Sequence, residues 1–301
     1  MTKNITVIMG GYSAEREISL SSGTEVVKVL NSLGYSIKSI DVNRNIETLL
    51  SQLKPKPDII FNALHGQFGE DGRIQGILDI LAIPYTHSGV LPSALAMDKV
   101  MAKKIFKLAG IKTPEHRVVG SEEFIKKGLL SVPYVLKPVN EGSSVGVYIV
   151  RERDSAPFQK EDLMQANKNM MIEKFIEGQE LTVAVMGGRP LAVTEIITNQ
   201  NFYDYEAKYS RGGSDHIIPA NISDVVYQQA LSIAKKAYEA IGCRGLGRVD
   251  FRFDGEDLFI LELNTQPGLT PTSLAPEQAI YTGISFEELV VWMVENAECG
   301  S

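Results

Sequence analysis

Two short runs near the end of the chain restrict it most: Arg248-Val249-Asp250 and, beyond an Asp254-Gly255 pair, Glu262-Leu263-Asn264-Thr265. Alternate residues of a strand point the same way, so Arg248 and Asp250 share a face, as do Glu262 and Asn264. Asp-Gly between such runs reads as a hairpin turn. With Asp250 opposite Glu262, the residues Val249, Phe251 and Phe253 meet Leu263, Leu261 and Phe259, and Arg248 meets Asn264. A one-residue slip would set apolar side chains against polar ones throughout. The favoured register gathers two carboxylates, an amide and a guanidinium on one face. Hard oxygen ligands without His or Cys suit Mg²⁺ that also holds nucleotide phosphates. A phosphoryl-transfer site is predicted there.

The rest of the chain supports an intracellular enzyme of two or three compact units, since 301 residues at 44% hydrophobic content are ample for folded cores. Its 30 basic and 37 acidic side chains give a net charge of −7. That balance argues against a nucleic-acid or anionic-membrane surface. Cys243 and Cys299 stand far apart without metal-type spacing, which predicts a reduced cytoplasmic protein. The apolar run from Met1 to Gly10 is too short for a signal peptide, and no stretch approaches a membrane span.

Short strands are predicted at Asn4–Met9, Ser36–Val42, Asp58–Asn62 and Ile83–Thr86, with helices at Ser19–Leu33, Ile46–Leu53 and Arg73–Leu81. This alternation implies a parallel α/β unit, whose ligands sit beyond the strand C-termini. Gly10-Gly11 and His65-Gly66 would lie there. The pattern changes near residue 95, where a Lys-rich helix over Lys99–Ala109 begins. Strands are then expected at Tyr134–Pro138, Val145–Val150 and Met170–Phe175, followed by a Gly187-Gly188 hairpin and a helix over Ser223–Ile241. Ser285 and Glu288 are spaced as a capping box. Three parts follow from this: 1–95, 96–179 and 180–301.

Gly10-Gly11-Tyr12-Ser13 lacks dinucleotide-fingerprint spacing, and no P-loop occurs. Glu141-Gly142-Ser143-Ser144-Val145-Gly146 could cradle phosphate through backbone N–H groups and hydroxyls, or be an ordinary turn. Lys137, inside the apolar run Val135-Leu136-Lys137-Pro138, calls for an anionic partner or an exposed edge. Lys99 is a second candidate, although helix lysines are usually solvated. Glu173-Lys174-Phe175-Ile176 and Glu180 could border an adenine–ribose pocket, although taken alone the segment reads as a plain strand-loop-strand. Glu15 is either a helix-start acid or a binder of an ammonium group. His65 stands in a Gly- and acid-rich turn.

Taken in order, these segments resemble the D-alanine–D-alanine ligase family of the ATP-grasp superfamily. The motifs run from Gly10–Ser19 and His65–Gly72 through Met97-Asp98-Lys99, Lys137–Gly146 and Phe202–Tyr209 to Gly247–Asp250 and Glu262–Leu274. The resemblance implies an α/β fold in which an N-terminal parallel domain precedes two ATP-clasping α+β domains. It implies that ATP phosphorylates one D-alanine and that a second D-alanine displaces the phosphate, for peptidoglycan precursor synthesis.

Family roles carried onto this sequence place adenine near Glu173, Phe175 and Ile176, with Glu180 on the ribose. Lys99, Lys137 and Ser144 would hold phosphates, with Lys208 on a covering loop. Asp250, Glu262 and Asn264 would hold two Mg²⁺ or Mn²⁺. Arg248 and the Gly268 N–H would stabilise the oxyanion. Glu15, linked to Ser143 and Tyr209, would take the first ammonium group. His65 is placed with the substrate, and Ser273 with the Leu274 N–H would take the second carboxylate. Tyr209 favours a dipeptide over D-alanyl-D-lactate. Asn140 and Gln266 are read as variable loop positions that bind nothing. A homodimer is also implied. The competing readings are another ATP-grasp carboxylate–amine ligase and a non-catalytic nucleotide-binding regulator.

Overall fold

A computed structural model of the chain describes residues 3–119, 131–142, 146–151, 170–198 and 214–300. Its first part is a three-stranded parallel sheet in the order β2-β1-β3, from β1 (Asn4–Gly10), β2 (Ser36–Val42) and β3 (Ile59–Asn62). Helices α1 (Arg16–Ser32), α2 (Ile46–Gln52) and α3 (Arg73–Ile80) connect or follow these strands. Every residue of β1 after Asn4 is buried, as a continuous apolar run covered on both faces should be. Gly10 and Gly11 both take φ +81 at its end, and a Cβ on Gly10 would collide with Asp41. That turn lets the Arg16 fork close on Asp41, with Nη1–Oδ1 2.8 Å and Nη2–Oδ2 2.6 Å.

The strand expected at Ile83–Thr86 does not form. Tyr85 alone bridges Ile60 on one side and Glu298 on the other. Ala82 and His87 hold positive φ values of 50 and 70, so the extended backbone is confined to the stretch between them. Two consecutive helices follow, α4 (Val90–Met97) and α5 (Lys99–Leu108), of which the sequence reading recognised only the second. Asp98 ends one and caps the other, its Oδ1 accepting from Val100 N and Met101 N at 3.0 Å each.

A four-stranded antiparallel sheet comes next, with β4 (His116–Val119), β5 (Tyr134–Pro138), β6 (Tyr148–Val150) and β7 (Met170–Lys174) in the order β4-β7-β5-β6. The last sheet is five-stranded and antiparallel. It contains β8 (Gln179–Met186), β9 (Arg189–Thr198), β10 (Ser214–Ile217), β11 (Leu246–Phe253) and β12 (Leu258–Asn264), in the order β10-β9-β8-β11-β12. Helix α6 (Asp224–Ile241) starts at Ser223, whose hydroxyl accepts from Val226 N, and stops at Gly242 in the left-handed region. It lays Ala230, Ala234, Ala237, Tyr238 and Ile241 into the same apolar core as Val183, Val193, Val249 and Phe251. Alanines on that face let the helix axis approach the strands closely.

Helices α7 (Leu274–Tyr281) and α8 (Phe286–Glu295) then bring the chain back to its beginning. Leu289, Val290 and Met293 share one apolar cluster with Ile5, Val7 and Phe61. The capping box of Ser285 and Glu288 is present at the start of α8. No helix among the described residues is long and apolar enough to cross a membrane.

The hairpin of β11 and β12 pairs Arg248 with Asn264, Val249 with Leu263 and Asp250 with Glu262, as expected. Below Asp250 the expected register fails. Phe251 pairs with Ile260 and Phe253 with Leu258, because a β-bulge intervenes. The extra residue is Leu261. Ile260 and Leu258 thereby enter the buried cluster with Phe251 and Phe253, while Leu261 joins Glu262 in lining a cleft. Bulges beside binding sites commonly re-aim a side chain in this way.

Candidate functional site

An open cleft of about 860 Å³ lies between the four- and five-stranded sheets, with Val135, Lys137, Phe175 and Ile176 on one wall and Asp250, Leu261 and Glu262 on the other. Lys99, the first residue of α5, reaches it with Nζ 2.6 Å from the Glu141 carbonyl and 3.4 Å from Glu262 Oε2. Lys137 does meet the anionic partner that its burial demanded: Nζ donates to Glu173 Oε1 at 2.9 Å. Lys103, one helical turn beyond Lys99, places its own Nζ 2.6 Å from Glu173 Oε2. Glu173 is 1% exposed, so both oxygens of this buried carboxylate face lysines. Burial alone would push its pKa up, but the two ammonium groups outweigh that and hold it below the usual range.

Phe175 and Ile176 border the same cleft beside Glu180. All three are organised by Arg252, which the sequence reading passed over. Its Nε donates to the Ile176 carbonyl at 3.0 Å, Nη2 to the Gly178 carbonyl at 2.9 Å and Nη1 to Glu180 Oε2 at 3.2 Å. The guanidinium also lies 5.5 Å from the Phe175 ring centroid. The available signal was strand alternation, which puts Arg252 on the face of Arg248 and Asp250.

Asp250 is the most constrained acid of the predicted metal face. It accepts from Arg248 Nε and Nη2 at 2.8 Å each, from Asn264 Nδ2 at 3.0 Å and from Thr182 Oγ1 at 2.6 Å. Glu262 lies directly across the ladder. Asp250, Glu262 and Asn264 thus form an oxygen-bearing cluster whose chemistry fits a hard divalent cation. Among the described residues no three His, Cys, Asp or Glu side chains are grouped to hold a metal by themselves. A cation there would draw remaining ligands from Asn264 and from a bound phosphate.

A second cleft of about 1510 Å³ opens on the other side of Arg248. Glu15 and His65 lie in its wall with Gly268 and Ser273. Glu15 occupies the N-cap position of α1, but its side chain makes no capping bond. It faces two glycines instead: a Cβ on Gly142 would lie 2.9 Å from Glu15 Oε2, and one on Gly66 would collide with it. The Glu141-Gly142 loop and the His65-Gly66 turn therefore converge on one carboxylate.

His65 is buried, with Nδ1 3.0 Å from Glu70 Oε1 and Nε2 3.4 Å from Ser22 Oγ. Burial works against its protonation, yet Glu70 outweighs it and raises the pKa above 6.5. Ser273 Oγ engages Thr270, 3.1 Å from its N and 2.7 Å from its Oγ1. Leu274 opens α7, where first-turn N–H groups lack intrahelical acceptors. Gly268 stands beside Ser273, where an added Cβ would be 3.2 Å from the hydroxyl. Gln266 is not a loose loop residue. It is 2% exposed, accepts from Asn62 Nδ2 at 2.9 Å and donates to the Leu64 carbonyl, tying the end of β12 to the end of β3. Ser143, Ser144, Lys208 and Tyr209 lie outside the described residues.

The two clefts share Arg248, Glu262 and Leu274, so a group bound in one can meet a group bound in the other at that edge. The family profile described as "D-ala D-ala ligase C-terminus" matches residues 105–295, and "D-ala D-ala ligase N-terminus" matches 43–88. The D-alanine–D-alanine ligase of Rhodospirillum rubrum is 51% identical over 301 residues, 99% of each chain. The chain belongs to the D-alanine–D-alanine ligase family.

The Sinorhizobium fredii member is 52% identical over 303 residues, covering 99% of this chain and 98% of its own. Among solved structures, the Bacillus anthracis D-alanine–D-alanine ligase complexed with ATP superposes with a TM-score of 0.85 at 32% identity, covering 98% of this chain and 97% of that one. The VanG D-Ala:D-Ser ligase of Enterococcus faecalis gives 0.81 at 29% identity, over 98% and 99%. The fold is accordingly the ATP-grasp arrangement of this family, and the enzyme class is ATP-dependent ligase.

Proposed function

We propose that this family member joins two D-alanines at the expense of ATP, supplying a peptidoglycan precursor in the cytoplasm as a homodimer. The meeting of the two clefts at Arg248, Glu262 and Leu274 is the observation that carries this reading. A nucleotide-binding regulator needs one cleft; a ligase needs two that share an edge. The division is 1–95 for the N-terminal substrate domain, 96–179 for the central ATP-grasp subdomain and 180–301 for the C-terminal ATP-grasp subdomain with the metal and catalytic site.

The residues divide the work as follows. Phe175 and Ile176 pack adenine, Glu180 takes the ribose, and Lys99 and Lys137 hold phosphates, joined by Ser144 and Lys208. Glu15, with Ser143 and Tyr209, takes the ammonium group of the first D-alanine, and His65 helps close that end of the cleft. Asp250, Glu262 and Asn264 would hold two Mg²⁺ (or Mn²⁺), which supply charge neutralisation between the phosphates and the attacking carboxylate.

In the first step a carboxylate oxygen of D-alanine bonds to the γ-phosphorus, and the bond to the ADP oxygen breaks. In the second, the deprotonated amine of the other D-alanine attacks the acyl carbon. The resulting tetrahedral oxyanion is stabilised by Arg248 and the Gly268 N–H, and phosphate then leaves. Ser273 and the Leu274 N–H orient the second carboxylate at the start of α7.

The test is ADP release with Mg²⁺-ATP and D-alanine alone, then with D-serine or D-lactate added, with products identified by mass. D-alanyl-D-alanine from D-alanine alone is expected. Turnover only with D-serine, the second substrate named for the VanG enzyme, would change the assigned amine. ATP binding without turnover on any of these would favour the regulator.

A further inference from the structure

We propose that Lys103, which lines no part of either cleft, is a positioning residue: it keeps Glu173 neutralised so that Lys137 can leave that carboxylate for a nucleotide phosphate. This rests on the reading of Lys137 as a phosphate-binding residue. Three observations combine. Glu173 is buried between two ammonium groups, Lys137 Nζ at 2.9 Å and Lys103 Nζ at 2.6 Å, on separate oxygens. Lys103 is 1% exposed and sits behind the carboxylate, whereas Lys137, at 7%, borders the ATP cleft. The trio therefore holds two positive charges against one negative; Lys137 and Glu173 border the cleft and Lys103 does not.

A buried carboxylate deprived of its counter-ion is strongly disfavoured. If Lys137 were the sole partner of Glu173, each nucleotide phosphate would have to compete with that demand. Lys103 removes the competition, because the carboxylate keeps a cation when Lys137 turns away. The surplus charge of the trio is then directed at the cleft. Lys99 and Lys103 stand four residues apart on α5, so one helix face serves both the Glu262 edge and the buried carboxylate.

The proton on Lys103 offers a second readout. Burial pushes its pKa down to about 8, against the raising effect of Glu173. The charged groups facing it are Glu173 on β7, Lys137 on β5, Glu262 on β12 and His116 on β4. His116 is held below 6.5 by burial and does not titrate in the same window. ATP affinity relative to adenosine should fall as pH rises through about 8. Lys103→Arg, which stays charged, should abolish that fall.

The experiment compares ATP with adenosine by calorimetry on the wild-type chain, Lys103→Met and the double variant Lys103→Met/Glu173→Gln. Adenosine lacks phosphates, so the ratio of the two affinities isolates the phosphate contacts, and its change between variants reports the share of Lys137. In Lys103→Met the ratio should drop about tenfold, the scale of one weakened charge-assisted contact. In the double variant it should return to within about threefold of wild type, because no buried carboxylate is left to hold Lys137. An unchanged ratio in the single variant, or equal losses of ATP and adenosine, would overturn the proposal. Should the single variant not fold, a depressed ratio in the double variant overturns it alone. Failure of the wild-type chain to bind ATP would instead refute the assigned function.

Discussion

Arg248 grips Asp250 from two positions away on the same strand face, with Nε on Oδ1 and Nη2 on Oδ2, both at 2.8 Å. The fork fixes the guanidinium at the edge common to both clefts and also orients an acid of the predicted metal cluster. Arg248→Ala should lower kcat by about 10² to 10³, the usual loss for one oxyanion donor. Lys in its place should recover little of this, since an ammonium group cannot reproduce the paired contact. Steady-state turnover alongside calorimetric ATP binding checks the assignment; normal turnover in the alanine variant would refute it.

Arg252 ties Ile176, Gly178 and Glu180 to β11, and those residues are read as the adenine–ribose wall. Arg252→Met should weaken ATP and adenosine together by about tenfold or more, since charge-assisted hydrogen bonds of roughly 1.5 kcal/mol or more each are lost. The kcat at saturating ATP should change little. A loss confined to ATP would mean that Arg252 acts on phosphate instead.

Gln266 connects two parts of the amino-acid cleft through Asn62 and Leu64. Gln266→Leu leaves buried polar groups short of a partner and should cost about 1–3 kcal/mol of stability. Urea unfolding measures that cost. The KM for D-alanine should rise more than the KM for ATP, because the substitution falls on the wall of the second cleft.

His65 has a pKa raised above its ordinary 6.5 by Glu70, despite burial. A raised folded-state value means the protonated ring favours the folded chain. That stabilisation is complete below about 6.5 and is lost as pH climbs through the higher folded value. Glu70→Gln should lower the His65 pKa and flatten this pH dependence. NMR titration of the ring with melting temperature across pH 5 to 9 provides the check, about the span over which histidine switches; an unmoved titration would reject the pairing as its cause.

How far the fold was legible depended on whether a residue's environment was set by its near neighbours in sequence. The upper hairpin could be registered because Arg248, Val249 and Asp250 alternate cleanly against Asn264, Leu263 and Glu262. Leu258-Phe259-Ile260-Leu261 is apolar throughout, so nothing in it marks where an extra residue enters, and the bulge went unseen. The helix over Val90–Met97 was hidden likewise: its composition is apolar nearly all round and its packing, not a polar stripe, holds it.

The candidate site divides the same way. Sequence determined the chemistry available: carboxylates and an amide on a strand pair, a lysine in an apolar strand, glycines where the backbone must turn. Tertiary structure decided which groups meet. Lys137 announced its need for an anion, but only folding set Glu173 beside it and a second lysine behind, from a helix whose Lys104 and Lys107 are exposed. Gln266 looked dispensable until β3 and β12 were brought together. Backbone preferences and side-chain periodicity act over a few residues and can be read along the chain, whereas burial, and the electrostatic demands it creates, arise only when distant segments exclude water from one another.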